Sequence, residues 1–274
     1  MPMISKRIVP VSFIMSVYIN DKVEWVNDAI ESIINGTVLP DEFLIYCDGP
    51  VSDGVSALLE HFSSSFSFIF IFYNNTNFGR AYSRDFLINK SNNSLVAIMD
   101  ADDISLPYRL EHQYSYIINN PSVDIVGGQI LEFSSHADKL RNVPVNLCDI
   151  YHLSKSRMPV NHVTLLFKKD SILSVGGYLD AGVCEDYYLL ARSICNNLII
   201  HNLDEVLVNV RVEEEFFFRR RGFSVFLDHY FIAKFFYDKS FISFPFFLSL
   251  IFVKFIVYNS PAFVLKFFYK FVRN

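Results

Sequence analysis

Two rhythms of hydrophobic positions alternate along the first hundred residues. Val9 to Tyr18 is an apolar run, as expected of a strand buried on both faces. Trp25, Ala29, Ile30, Ile33 and Ile34 then recur at helical spacing and stop at Asn35-Gly36, a pair that ends helices. Glu42 to Cys47 predicts a short strand ending at Asp48-Gly49-Pro50. Val55, Leu58, Leu59 and Phe62 predict a helix, with Asp53 in place to cap it. Phe66 to Tyr73 reads as a third strand, about 81–89 as a helix, and Ser94 to Met99 as a fourth strand running into Asp100-Ala101-Asp102-Asp103. This β-α-β-α-β-α-β order predicts a parallel sheet with helices on both faces. Such sheets hold ligands at the carboxyl ends of their strands. Tyr18, Asp48, the Asn74–Arg80 loop and the Asp100–Asp103 cluster are the candidates there.

Beyond Pro107 the alternation loosens. Val123 to Phe133, Val163 to Phe167, Leu198 to His201 and Val206 to Val210 read as strands, and Glu185 to Cys195 as a helix on Tyr188, Leu189 and Ile194. From Gly222 the pattern is helical, with Phe223, Phe226, Leu227, Tyr230, Phe231 and Phe235 on one stripe. No internal repeat is visible.

Charge divides the chain at the same place. Of 274 residues with net charge −5, residues 216–274 carry 9 Lys/Arg and 2 Asp/Glu, leaving −12 for the rest, and they hold 18 of the 29 phenylalanines. The sequence therefore predicts an α/β body over 1–215 and a basic, Phe-rich helical region over 216–274 with different neighbours. Phe241 to Tyr258 is 18 residues with one charge, Lys254, enough for a spanning helix. Pro245 and the lysines at 239, 254, 266 and 270 favour helices lying in the membrane plane, lysines toward headgroups and phenylalanines toward acyl chains. Lys6-Arg7 and the apolar run after them imitate a signal peptide without its small-residue cleavage site. An acidic chain with 51% hydrophobic residues is neither disordered nor a uniformly basic nucleic-acid binder. Cys47, Cys148, Cys184 and Cys195 are scattered, which argues against a disulfide framework or zinc knuckle.

Three carboxylates after a buried strand repel one another unless a cation sits among them, and hard divalent cations take such oxygen ligands, commonly together with a phosphate. A solvated acidic turn, with Asp103 capping the next helix, is the plain alternative. Glu185-Asp186 opens a predicted helix, where dipole stabilisation alone would place carboxylates. Arg80 and Arg84 stand one turn apart, as phosphate contacts or surface salt bridges. Arg219-Arg220-Arg221 is either a phosphate-binding triplet or a solvated charge run. His162 reads as a satisfied structural histidine or an acceptor contact.

The ordered set Ser16-Val17-Tyr18-Ile19-Asn20, Asp48-Gly49, Asn77-Phe78-Gly79 with Arg84, Met99-Asp100-Ala101-Asp102-Asp103 and Glu185-Asp186 resembles glycosyltransferase family 2 over about residues 8–215. The resemblance implies a GT-A fold, a mostly parallel Rossmann-like sheet flanked by helices, and inverting transfer from a nucleotide sugar. Within the family the chain is most similar to bacterial enzymes that add a hexose to a GlcNAc-diphosphate-lipid during O-antigen assembly. It implies donor contacts at Tyr18, Asp48, Asn77, Gly79, Arg80, Arg84 and Asp100, with Asp48 on the uracil. Asp102, with Asp100 near the ribose also in the metal set, would hold Mn2+ or Mg2+, and Asp103 would either assist or merely cap the following helix. Asp186 would be the general base, with Glu185 holding donor hydroxyls or acting as the base itself. On this reading Arg219, Arg220 and Arg221 would hold the acceptor's diphosphate or anionic lipid headgroups, and His162 would be an acceptor contact. Cys47-Asp48-Gly49-Pro50 departs from the family's commoner Asp-Asp-Gly-Ser. The only tryptophan is Trp25, so the Gln-x-x-Arg-Trp motif of processive members is missing, which implies single-sugar transfer. The implied partners are UDP-glucose or UDP-galactose, the lipid-linked acceptor and the cytoplasmic face of a bacterial inner membrane, without nucleic acid. A nucleotidyltransferase with a similar acidic site, or a catalytically silent membrane-associated relative, are the alternatives.

Overall fold

The computed structural model describes residues 6–134, 138–212 and 222–259. The elements run β1 (Ile8–Val17), α1 (Val23–Ile34), β2 (Leu39–Cys47), α2 (Asp53–Ser65), β3 (Ile69–Tyr73), α3 (Arg80–Lys90), β4 (Leu95–Asp100), β5 (Ile104–Ser105) and α4 (Arg109–Asn119). They continue as β6 (Ile125–Phe133), β7 (Lys139–Arg141), α5 (Leu147–Ser154), β8 (Leu166–Lys168), α6 (Lys169–Ser174), α7 (Glu185–Cys195), β9 (Ile200–Arg211), α8 (Phe223–Asp238) and α9 (Phe244–Asn259). Among the described residues the sheet has nine strands, in the order β3-β2-β1-β4-β8-β6-β9-β5, with β7 paired to β6.

The first four strands are parallel, and their register sets the site. Ser16 pairs with both Tyr46 and Asp100, and Cys47 pairs with both Val17 and Tyr73. The four strands thus end at one level, and every chain segment leaving them emerges on one edge. Alternation sorts the core: Val11, Phe13 and Met15 pack with Val26, Ile30, Leu59 and Leu110 on one face. Ile14, Leu44 and Ile98 pack with Leu87, Leu190 and Ile194 on the other. Burying each such side chain is worth about 1.5–3 kcal/mol, so both faces are committed.

Several local expectations change. Ser52, not Asp53, caps α2, its side chain accepting the Val55 N–H; serine sits at the extended position before the helix, where an N-cap oxygen reaches back. The strand expected over 163–167 divides into a 3-10 turn, His162–Thr164, and the short β8. The two expected strands at 198–201 and 206–210 are one, β9, which runs parallel to β6 with register shifts near Gln129 that absorb the polar residues between them. Asp103 caps no helix: it is 3% exposed and accepts the Arg211 N–H.

The α8 stripe is also inverted. α8 buries Val225, Ile232, Ala233 and Phe236, while Phe223, Leu227, Tyr230 and Phe231 of the expected stripe are exposed. A helix apolar nearly all round offers two stripes, and the one with Ile232, Ala233 and Phe236 packs on Tyr187 and Ala191 of α7. α9 has 16 residues and buries only Phe247 among them. Among the described residues no helix is long and apolar enough to cross a membrane. Lys254 does not face outward but approaches His229 Nδ1 at 3.3 Å.

A buried cation underlies β4. Arg109 is 0% exposed; it donates to Ile98 O at 2.7 Å and Gln113 Oε1 at 3.1 Å and lies 5.3 Å from the Phe13 ring centroid. Burial pulls its pKa down to about 9, opposed by Asp100 and Asp103. Arg109→Ala leaves buried acceptors without donors and opens a cavity, so it is expected to cost about 3 kcal/mol. Urea unfolding measures this, and a loss below about 1 kcal/mol would contradict the role given to Arg109.

Candidate active site

At the end of β2, Asp48 is 5% exposed. Its Oδ1 accepts the Phe78 N–H at 2.8 Å and its Oδ2 the Gly79 N–H at 2.9 Å. One carboxylate thereby holds the loop that enters α3, and its four lone-pair sites are not exhausted by two bonds. Gly79 has φ +90°, a conformation that glycine adopts without cost. Asn77 stands exposed beside it. At the end of β1, Tyr18 is at the surface and its N–H donates to Asp21 Oδ2 at 2.9 Å.

α3 sends two arginines toward the strand ends. Arg84, 5% exposed, donates to Asp100 Oδ1 at 2.9 Å and to Glu185 Oε1 at 3.2 Å. Its guanidinium lies 5.7 Å from the Tyr178 ring centroid. Arg80, largely exposed, reaches the same Glu185 Oε1 at 3.2 Å. Burial alone would lower the Arg84 pKa, but Asp100, Tyr178, Glu185 and Asp186 more than reverse this, and the group stays charged. Burial likewise pushes Asp100 up, yet Arg84 foremost holds it below the usual carboxylate range. Glu185 is raised by burial and by Asp186, against the pull of Arg80 and Arg84.

These contacts separate the two carboxylates at the start of α7. Glu185 is 3% exposed and shares one oxygen between two arginines, while its Oε2 is buried without a partner. Asp186 is half-buried, outside that ion-pair network, with Oδ1 accepting the Tyr187 N–H at 2.7 Å. Glu185 is anchored by both arginines, and Asp186 is the more exposed of the two. His162 Nε2 lies 2.6 Å from the Tyr178 hydroxyl. Burial and Arg84 bring its pKa down to about 4, so it is neutral at pH 7. Arg219, Arg220 and Arg221 lie outside the described residues.

Around Asp100 the acidic residues strain against each other. Burial, with Asp102 and Asp100, pushes Asp21 up to about 7, and burial and the same two neighbours push Asp103 well above the carboxylate range. Among the described residues no three His, Cys, Asp or Glu side chains converge as a ready-made metal cage. An all-oxygen set of one or two carboxylates fits Mg2+ or Mn2+, which complete their shells with water and substrate phosphates.

The chain matches the model described as "Glycosyl transferase family 2" over residues 12–169. It belongs to glycosyltransferase family 2. It is 31% identical over 215 residues to "Amylovoran biosynthesis glycosyltransferase AmsE" of Erwinia amylovora, covering 78% of this chain and 80% of that one. It is 31% identical over 262 residues, 94% of each chain, to the "UDP-Gal:alpha-D-GlcNAc-diphosphoundecaprenol beta-1,3-galactosyltransferase" of Escherichia coli. In fold it resembles "S. aureus TarS 1-349 in complex with UDP-GlcNAc", with TM-score 0.68, 14% identity, and coverage of 92% of this chain and 74% of that one. The sheet and its flanking helices are thus those of a GT-A glycosyltransferase.

Several residues at this edge of the sheet stand outside the motifs of the sequence. Arg211, at the end of β9, donates its N–H to Asp103 Oδ1 at 2.9 Å, its Nε–H to Asp102 O at 3.1 Å and Nη2 to Asp28 at 3.1 Å. It also lies 5.2 Å from the Trp25 ring centroid. Its one signal is the charge that closes the uncharged run Val206 to Val210. Tyr178 and Asp21 carry no motif at all. Asp85 accepts the Tyr178 N–H at 3.1 Å, and Arg192 donates to Gly177 O at 2.6 Å, together holding the loop that carries Tyr178.

Arg84 gives a pH-dependent test. In the wild type Asp100 titrates low, so its pairing contributes stability above about pH 4 and loses it on acidification. Arg84→Ala leaves burial to raise both Asp100 and Glu185. The destabilisation relative to wild type is expected to be greatest near about pH 7.5 and to shrink toward about pH 4.5, as both carboxylates protonate. Urea titrations in EDTA at the two pH values read it, and an equal loss at both would refute the ion-pair account.

Proposed function

We propose that this glycosyltransferase moves a single hexose, glucose or galactose, from its UDP donor to a GlcNAc-diphosphate-lipid with inversion at the anomeric carbon. The observation that carries the reading is the Arg84 bridge, which brings Asp100 at the end of β4 beside the Glu185-Asp186 pair on α7. Similarity along 94% of both chains to a galactosyltransferase named for that donor and acceptor supports it.

Under this reading Asp48 sits at the uracil end, setting the Asn77–Gly79 loop and keeping lone pairs for the uracil N3–H. Tyr18 borders the nucleotide, and the amides at the start of α3 with Arg80 meet the diphosphate. Asp102, with Asp100, would hold Mn2+ or Mg2+, and Arg211 keeps that turn in place. The bound cation supplies neutralising charge for the departing diphosphate. Asp186 takes the proton of the acceptor hydroxyl as its oxygen bonds to the anomeric carbon, and the breaking bond leaves its electron pair on UDP. Neutral His162 and Tyr178 line the acceptor side, and Arg219, Arg220 and Arg221 serve the acceptor's phosphates. The division into a catalytic body over 1–215 and a helical region over 216–274 belongs to the same proposal.

Exposed Phe223, Leu227, Phe231, Phe244, Phe252 and Phe255, in a region of net positive charge, suit an anionic lipid surface. They support a peripheral place at the cytoplasmic face of the inner membrane.

Two tests follow. UDP-galactose and UDP-glucose are each incubated with Mn2+ and a synthetic GlcNAc-diphosphate-lipid; a hexosylated lipid is expected from one of them, and EDTA should stop its formation. Asp186→Asn should lower turnover by about 100-fold or more with UDP affinity nearly unchanged; wild-type turnover in that variant would reassign the base. Separately, Phe231→Glu with Phe252→Glu is expected to lower sedimentation with phosphatidylglycerol vesicles by about 5-fold or more. Unchanged sedimentation would remove the membrane role from these helices.

A further inference from the structure

The α8–α9 pair reaches the turn that carries the candidate base. Gly182 to Cys184 form a 3-10 turn immediately before Glu185. Its own bonds are few: Gly182 N–H to Asp180 Oδ1 at 3.0 Å and Cys184 N–H to Ala181 O at 3.1 Å. The rest of its support comes from the helices that follow the sheet. Asp228 of α8 accepts the Val183 N–H on Oδ2 at 3.0 Å. Gly182 has φ +61°, and a Cβ there would lie 2.4–2.5 Å from the Asp228 carboxylate. Cys184 Sγ lies 3.7 Å and 3.8 Å from the two ring nitrogens of His229. His229 stacks on Tyr258 at 4.6 Å and bonds its hydroxyl at 2.6 Å. Asp228 shares the buried face of α8 with Val225 and Ile232, three residues before it and four after. An apolar seat of Tyr187, Ala191, Ile232, Ala233 and Phe236 fixes that face on α7.

We infer that Asp228 is a positioning residue for the Glu185-Asp186 pair, so that sugar transfer depends on how α8 is seated against α7. The carboxylate replaces a backbone acceptor that the short turn lacks, and it holds the chain at the point where Asp186 is aimed. An error of about 1 Å at a reacting group can cost about 100-fold in rate. This inference rests on the reading of Asp186 as base.

The test uses the full chain with UDP-galactose, UDP-glucose and the synthetic GlcNAc-diphosphate-lipid. Asp228→Ala is expected to lower kcat about 10-fold or more, with the KM for UDP-sugar and the affinity for UDP within about twofold and the thermal midpoint little changed. Asp228→Asn keeps an oxygen for the Val183 N–H and should restore most of the rate. Gly182→Ala, which displaces the carboxylate, should resemble Asp228→Ala. Lys234→Ala, which removes only an exposed contact to Asp238 on the same helix, should match wild type. Hydrogen exchange over 181–187 should quicken in Asp228→Ala without change in the middle of α8. Wild-type kcat in Asp228→Ala, unchanged exchange at 181–187, no recovery in Asp228→Asn, or parallel loss of UDP binding and thermal stability would each overturn the assignment. Asp186→Asn run alongside separates the two readings: wild-type turnover there defeats the base assignment, while the exchange result still decides whether Asp228 holds the turn.

Discussion

One buried guanidinium joins the two halves of the site. Arg84 spends its donors on a carboxylate at the end of β4 and on another at the start of α7. A cation so enclosed needs buried carboxylate partners, and Arg84 in turn holds Asp100 below the ordinary carboxylate range. The same pairing fixes the difference between Glu185 and Asp186. With Glu185 pinned by Arg84 and Arg80, its neighbour in sequence is left as the accessible carboxylate. Two adjacent acids thereby acquire different surroundings.

Everything else at this edge serves that junction. The level ends of β1 to β4 bring Tyr18, Asp48 and Asp100 together. Asp48 ties the loop before α3 and so sets the helix that carries Arg80 and Arg84. Arg109 supports β4 from below, and Arg211 holds the Asp102 carbonyl and the Asp103 carboxylate from the side. On the far side α8 holds the turn leading into Asp186.

What was legible in the sequence follows the range of the interactions. Strands buried on both faces and helices with one apolar side write their period locally, so β1, α1, β2, α3, β4 and α7 were readable, as were the polar residues at their ends. Choices made by tertiary packing were not. The short β8 follows a turn whose apolar residues imitate a longer strand. Ser52 displaced Asp53 as cap through a one-residue difference in where α2 begins. α8 is apolar around most of its circumference, so periodicity could not say which side meets α7. Tyr178, Arg211 and Asp228 act across tens of residues on partners that no motif marks, and only the folded chain brings them together.

The most direct measurement is a crystal structure of the full chain soaked with UDP and Mn2+. Uracil is expected beside Asp48, the diphosphate and cation between Arg80 and Asp102, and Asp186 facing the sugar-side phosphate across the Arg84 bridge. UDP bound away from the ends of β1 to β4, or Asp186 turned from the diphosphate with Glu185 in its place, would contradict it.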